Sequence, residues 1–431
     1  MTTTESSAES TRPLPAITPA RLGQTTGTPL YGEDFAADPE RTYRALRAQG
    51  PIAPVQLAEG VQAMLVTDYA TALQVLRSPH VFRKDSRRWQ VHAPADSPIM
   101  PMMSWRPNTL FADGEAHARL RPPVTESLRA VDPAELRDFV HRSALTLIQG
   151  FTGRTSADVL TEYAAPLPLL VLHQVFGCPP DISARMVDSL KALWDGTDVQ
   201  EANAAFERCV RELVEYKRRE PGDDVTTRLL EHRHGLDDDE LLHQLVVMMG
   251  AGVEPVSNWI ANALLLLLTE DRFADSLVNG SVSIDEALDE VLWRYPPLAN
   301  YAVTYPTRAV RLGGVRLPAD MPVVISIAAA NTDVASRMGE VPTGNRAHLA
   351  FSAGPHTCPA RDPARLIATI ALETVLDHLP GMSLADGTAL QWRPGPFHRA
   401  LTALPVQFPP PSQTPDPSAG DTECPHRSTA R

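Results

Sequence analysis

Cys358 stands in the run Phe351-Ser352-Ala353-Gly354-Pro355-His356-Thr357-Cys358-Pro359-Ala360-Arg361, just ahead of a helical pattern at 362–379. A loop with glycine and proline that delivers a cysteine to a helix start places its sulfur near free N–H groups and the positive end of the helix dipole. Both stabilise a thiolate, the form that ligates a metal. A buried cysteine is also a good small hydrophobe, so position alone leaves both readings open. His117 and Arg121 lie one helical turn apart in Asp113-Gly114-Glu115-Ala116-His117-Ala118-Arg119-Leu120-Arg121. Together they could hold a buried carboxylate, by hydrogen bond and by charge, or simply form a solvated helix face. Glu254 puts a third chemical group at a core level, in Gly250-Ala251-Gly252-Val253-Glu254-Pro255.

The elements that must position these residues are mostly helical. Apolar periodicity predicts helices at 39–49, 69–78, 115–129 (disturbed by Pro122 and Pro123), 133–150, 184–194, 199–220 and 237–269. Strand-like text appears at 62–66, 308–327 and 399–408. The stretch 237–269 becomes apolar nearly all round, which suits a helix in the middle of a protein. Its two glycines and Pro255 weaken the backbone ladder and predict a kink, either for packing or as a groove that seats a ligand. No internal repeat or Gly/Ser linker breaks the middle of the chain. The reading is a mainly α protein with small β-sheets, of α+β class, with a flexible arm at 1–28, one domain at 29–408 and a disordered tail at 409–431.

Composition excludes several functions. The chain has 431 residues and a net charge of -13, which disfavours binding to nucleic acid or to an anionic membrane. Its longest unbroken apolar run, 263–268, is far short of the roughly 20 residues of a membrane span, and the first residues lack a secretory pattern. A cytoplasmic location is expected. The four cysteines show no CxxC pair and no zinc-like spacing.

The Cys358 run resembles the haem-binding loop of bacterial cytochrome P-450, F-G-x-G-x-[HR]-x-C-x-[GA]. Phe351, Gly354, His356, Cys358 and Ala360 fall in register, and Ser352 departs from the usual glycine. The resemblance extends from about residue 32 to 408. It implies the cytochrome P-450 fold, a triangular helical domain around a buried haem b, with Cys358 as the iron ligand and Phe351 beside it. It also implies that His356, His117 and Arg121 face the haem propionates, that His348 has a haem role, and that the chain uses dioxygen. A family arginine is expected where Thr304 stands.

Two further departures from the family pattern are legible. Glu290-Val291-Leu292-Trp293-Arg294-Tyr295-Pro296-Pro297 occupies the place of the E-x-x-R helix, with Trp293 where the arginine belongs, and so resembles an actinobacterial subgroup with that replacement. Ala251-Gly252-Val253-Glu254-Pro255-Val256 resembles the oxygen-binding motif, in which an acid and an alcohol relay protons; Glu254 keeps the acid, while Pro255 removes the alcohol. Ser257 is the nearest hydroxyl, and its direction is expected to be wrong. The resemblance implies a haem-thiolate monooxygenase or oxidase acting on a small, largely apolar or aromatic secondary metabolite. Pro255 makes radical coupling or ring closure the expected chemistry rather than simple hydroxylation. A ferredoxin and its reductase are the expected electron donors. Trp105, Met102, Val247, Ala299, Asn300, Val303 and Phe397 are the expected substrate contacts. A non-catalytic or regulatory haem protein in a signalling complex is the alternative.

Overall fold

A computed structural model describes residues 27–194, 198–339 and 343–409. All but residues 27, 28 and 409 of the expected arm and tail lie outside these. At the centre runs the helix Asp238–Thr269, opened by a capping box between Asp237 and Glu240. Its first half buries Leu241, Leu245, Met249 and Val253 against Phe206, Leu213 and neighbours. Its second half buries Trp259, Ile260 and Leu264 against Tyr163, Ile367 and Ala371. Pro255 does not end this helix. Packing on both sides of the proline outweighs the lost backbone bond, whose direct consequence is that the carbonyl of Ala251 has no i+4 donor. By length and apolarity the helix could cross a membrane, but most of its apolar window is buried in the core.

The sheets are small, as expected. A six-stranded sheet runs in the order Thr28–Pro29, Ile52–Ala58, Val61–Val66, Val323–Ser326, Asn300–Pro306, Phe82–Arg83. The strand-like text at 308–327 resolves into a hairpin, Val310–Leu312 with Val315–Leu317, followed by the buried strand Val323–Ser326. The pairing of Asn300–Pro306 with Val323–Ser326 slips between Tyr301 and Thr304, where Ala302 takes φ 55. A slip of this kind re-aims the residues around it. The helix Gly114–Arg129 runs straight through Pro122 and Pro123. The helix after the cysteine, Arg361–His378, lies on the central helix within one core.

Candidate active site

The Cys358 loop is held by its own backbone. Cys358 N donates to the carbonyl of Phe351 at 2.9 Å, and Thr357 N donates to that of Gly354 at 3.1 Å. Gly354 has φ +72, and a Cβ there would stand 2.3 Å from the carbonyl oxygen of Leu76, so glycine is required. Ser352 also has positive φ, 60° with ψ -170°, a conformation that is glycine's by preference. The departure from glycine at this position therefore changes the residue but keeps the glycine backbone. Burial pushes the Cys358 thiol up, while the Ala360 N–H, Arg121 and Arg361 pull it down. A metal cation on the sulfur would take the proton off outright.

His117, Arg121 and His356 come together beside the cysteine loop. The two imidazoles lie 4.3 Å apart, and Arg121 donates to the carbonyl of Thr357, next to the cysteine. Burial first, then His356 and Arg121, hold His117 down to about 4, and burial lowers His356 as well. Asp113 faces the row at 3.8 Å from His356 Nε2. Nε2 of His117 is buried with no partner. Asp113 Oδ1, in the same row, is likewise buried without a partner. A buried polar atom left unpaired is costly, and with its proton on Nε2 His117 would suit the carboxylate edge of a haem. Thr304 brings no charge; its hydroxyl donates to the Val323 carbonyl at 3.4 Å.

The His348 ring packs 5.8 Å from that of Phe351 in the cysteine loop and also reaches the helix Ile284–Arg294. Its Nε2 lies 3.3 Å from Asp289 Oδ1, and its ring stands edge-on to Trp293. Asp289 is 1% exposed and also accepts from Arg365 and, at 3.1 Å, from Arg346. Glu290 lies on the outer side of its helix, paired with Arg272 at 2.8 Å and Arg294 at 3.2 Å, and Asp289 takes the buried place. One helical step turns a side chain by about 100°, enough to exchange inside for outside. The apolar run of Ala287, Leu288, Val291 and Leu292 marks the buried face on which Asp289 falls, and that was the available signal.

On the central helix, Ala251 is exposed between the buried Met249 and Val253, and Val247, one turn earlier, is half-buried. These residues form an open stripe. It lies just N-terminal of the level at which Trp259 packs edge-on against Phe351 of the cysteine loop, 5.9 Å between rings. Gly252 permits the close approach of Leu172, whose Cδ1 lies 2.6 Å from where a Cβ would be. Glu254 accepts from Arg393 and lies 3.6 Å from His398 Nε2. Burial raises its carboxyl, but His398, Arg393 and Asn258 outweigh that and hold it below the ordinary range. Ser257 spends its hydroxyl on the carbonyl of Val253 at 3.0 Å, as its expected misdirection required.

Of the expected substrate contacts, Met102, Val303 and Phe397 meet in one apolar cluster with Tyr301. Tyr301 stands edge-on to Phe397 at 5.7 Å and donates to the Met102 carbonyl at 3.2 Å. Trp105 lies under the Arg87 guanidinium, 4.7 Å from its carbon, beside a surface depression. Asn300 commits its amide to Tyr43 Oη and the Pro396 carbonyl, both at 2.8 Å. Ala299 is buried beside a different cavity, which His398 and Arg399 also line.

No protein-family model matches the chain. It is 30% identical over 408 residues to the cytochrome P-450 monooxygenase PikC of Streptomyces venezuelae, covering 90% of this chain and 96% of that one. It is also 30% identical to the mycinamicin IV hydroxylase/epoxidase of Micromonospora griseorubida, covering 84% of this chain and 94% of that one. Among solved structures, CYP154A1 from Streptomyces coelicolor A3(2) superposes with TM-score 0.80 at 27% identity, covering 89% of this chain and 100% of that one. With these likenesses set beside the cysteine loop and the polar row, the chain belongs to the cytochrome P-450 family of monooxygenases, whose members use haem iron and dioxygen.

Proposed function

We propose that this chain is a haem-thiolate monooxygenase or oxidase in which Cys358 is the iron ligand, Phe351 lies beside it, and His117, Arg121 and His356 hold the haem carboxylates. The observation that carries the reading is the loop at 351–358, whose backbone bonds and glycine geometry present Cys358 at a helix start beside His117, Arg121 and His356, with Nε2 of His117 buried and unpaired. Residues 29–408 act as a single catalytic domain, of the subgroup with tryptophan at position 293. Haem, when bound, supplies the oxidising chemistry that side chains lack.

The chain's own residues make that chemistry selective. Pro255 has no proton to give, Ser257 has spent its hydroxyl, and Glu254 is fixed as a carboxylate against Arg393. This supports radical coupling or ring closure over simple hydroxylation, because proton delivery lacks its positioned alcohol. Met102, Val303 and Phe397 form an apolar wall that suits a small apolar or aromatic substrate. The likeness to proteins named mycinamicin IV hydroxylase/epoxidase and nocardicin C N-oxygenase supports a secondary metabolite. Electrons come from a ferredoxin and its reductase in the cytoplasm. The test is the spectrum of the reduced protein under carbon monoxide. A red-shifted Soret band of thiolate-ligated haem is expected, and Cys358→Ala abolishes it. A variant that keeps the band overturns the reading.

A further inference from the structure

Lys84 follows the edge strand Phe82–Arg83 and is 7% exposed. A buried ammonium without an anion is costly, and a lysine has three protons to place. The hydrogen bond that its Nζ makes goes to the carbonyl of Val303, at 3.0 Å. No carboxylate lies within ion-pair distance of that nitrogen among the described residues. The backbone N–H of Lys84 donates to Asp113 Oδ2 at 2.8 Å, which places the residue beside the polar row, and its charge is felt at His356. Burial brings the ammonium down to about 8, so it remains a cation at neutral pH. Lys84, His356, His117 and Arg121 thus bring donors from separate segments to one place, with Asp113 the carboxylate that faces them.

We propose that Lys84 is a haem-carboxylate ligand: reaching across the Val303 carbonyl, its ammonium supplies the positive charge that the neighbouring Thr304 does not. The anion such a row accepts is a carboxylate on the edge of a flat, buried cofactor. A small free anion would leave the remaining donors unmet. The inference rests on the haem reading above and adds a residue to it. Lys84 is a binding residue here, with no part in proton delivery.

The test measures cofactor retention, with no turnover. Wild type, Lys84→Met and Lys84→Arg are each reconstituted with haem b and with haem dimethyl ester, whose carboxylates are blocked. Transfer to excess apomyoglobin is then followed in the Soret region. Loss of a charge-assisted bond predicts that Lys84→Met releases haem b about 10- to 100-fold faster than wild type. Lys84→Arg keeps the charge and is expected within about threefold of wild type. With the dimethyl ester, Lys84→Met and wild type release at the same rate. Equal release of haem b by wild type and Lys84→Met overturns the proposal, and so does an equal acceleration for both cofactors, which would make Lys84 a packing residue. Lys84→Gln serves if the Met variant does not fold. A wild type that takes up no haem overturns the parent reading as well, whereas a haem-loaded wild type indifferent to position 84 overturns this inference alone.

Discussion

The indole N–H of Trp293 donates to the backbone carbonyl of Asn345 at 2.7 Å, tying the helix Ile284–Arg294 to the segment that leads into the cysteine loop. This packed aromatic ring has one donor, and that donor is satisfied.

Trp293→Arg should therefore destabilise the protein. The ring is 5% exposed, and the nearby Asp289 already accepts from Arg365 and Arg346. A guanidinium placed there would lose water without gaining a free carboxylate, and the packing of the ring would be lost. The expected cost is about 3 kcal/mol in urea unfolding, with lower haem content. A rise in stability and haem content together would show that an arginine-based network is still available.

Asp289 and Glu290 should behave as opposites despite being adjacent. Asp289→Asn leaves two arginines facing a neutral amide in a buried site, at a cost of about 3–5 kcal/mol. Glu290→Gln removes a part-exposed carboxylate whose partners are the exposed Arg272 and Arg294, the latter still held by Glu270, and should cost less than about 1 kcal/mol. Burial raises the Asp289 carboxyl, but His348 and Arg365 prevail and hold it below its ordinary 3.8. A depressed acid stabilises the fold fully above its unfolded pKa and loses that contribution as pH falls through the folded one. The gap between wild type and Asp289→Asn should accordingly be widest near neutrality and shrink below about pH 4. Equal costs for the two variants at neutral pH would reverse the assignment.

Ser352 stores strain that glycine would not. Its backbone lies in a glycine region, and its hydroxyl is buried without a partner. Ser352→Gly should stabilise the protein by about 1 kcal/mol, read as a small rise in Tm, and Ser352→Ala should gain less, since it sheds the unpartnered hydroxyl but keeps the Cβ. Gly354→Ala, by contrast, forces a carbon into the Leu76 carbonyl and should abolish haem binding. If Ser352→Gly and Ser352→Ala melt alike, strain at this position is not significant.

Pro255→Thr should restore an alcohol beside Glu254. With the substrate in hand, the fraction of electrons lost as peroxide should fall and hydroxylated product should rise at the expense of coupled product. A positioned proton donor contributes about 10²- to 10⁴-fold to such steps, which leaves ample room for a partial effect. Arg393 already holds Glu254 in the wild type, so the acid stands in place beside the new alcohol. Unchanged product ratios and leakage in a folded variant would place the proton path elsewhere.

The amino-acid sequence by itself determined the thiolate loop, the central helix and the His117–Arg121 pair, because each is local: spacing along a few turns decides which side chains share a face. It also marked Pro255, Ser352, Thr304 and Trp293 as departures, since a motif compares residue types at fixed positions. What replaces a departed residue is a matter of distance in space, and only the tertiary structure decided that. Arg393, which meets Glu254, lies 139 residues away in sequence, and Lys84 reaches Val303 across 219. The exchange of Asp289 for Glu290 depended on the rotation of one helix against its neighbours, which the apolar pattern suggests but packing settles. The engagement of Asn300 with Tyr43 and of Trp105 with Arg87 was likewise set by tertiary contacts: a side chain placed near a site by its position in a motif can be spent on another partner once the chain has folded.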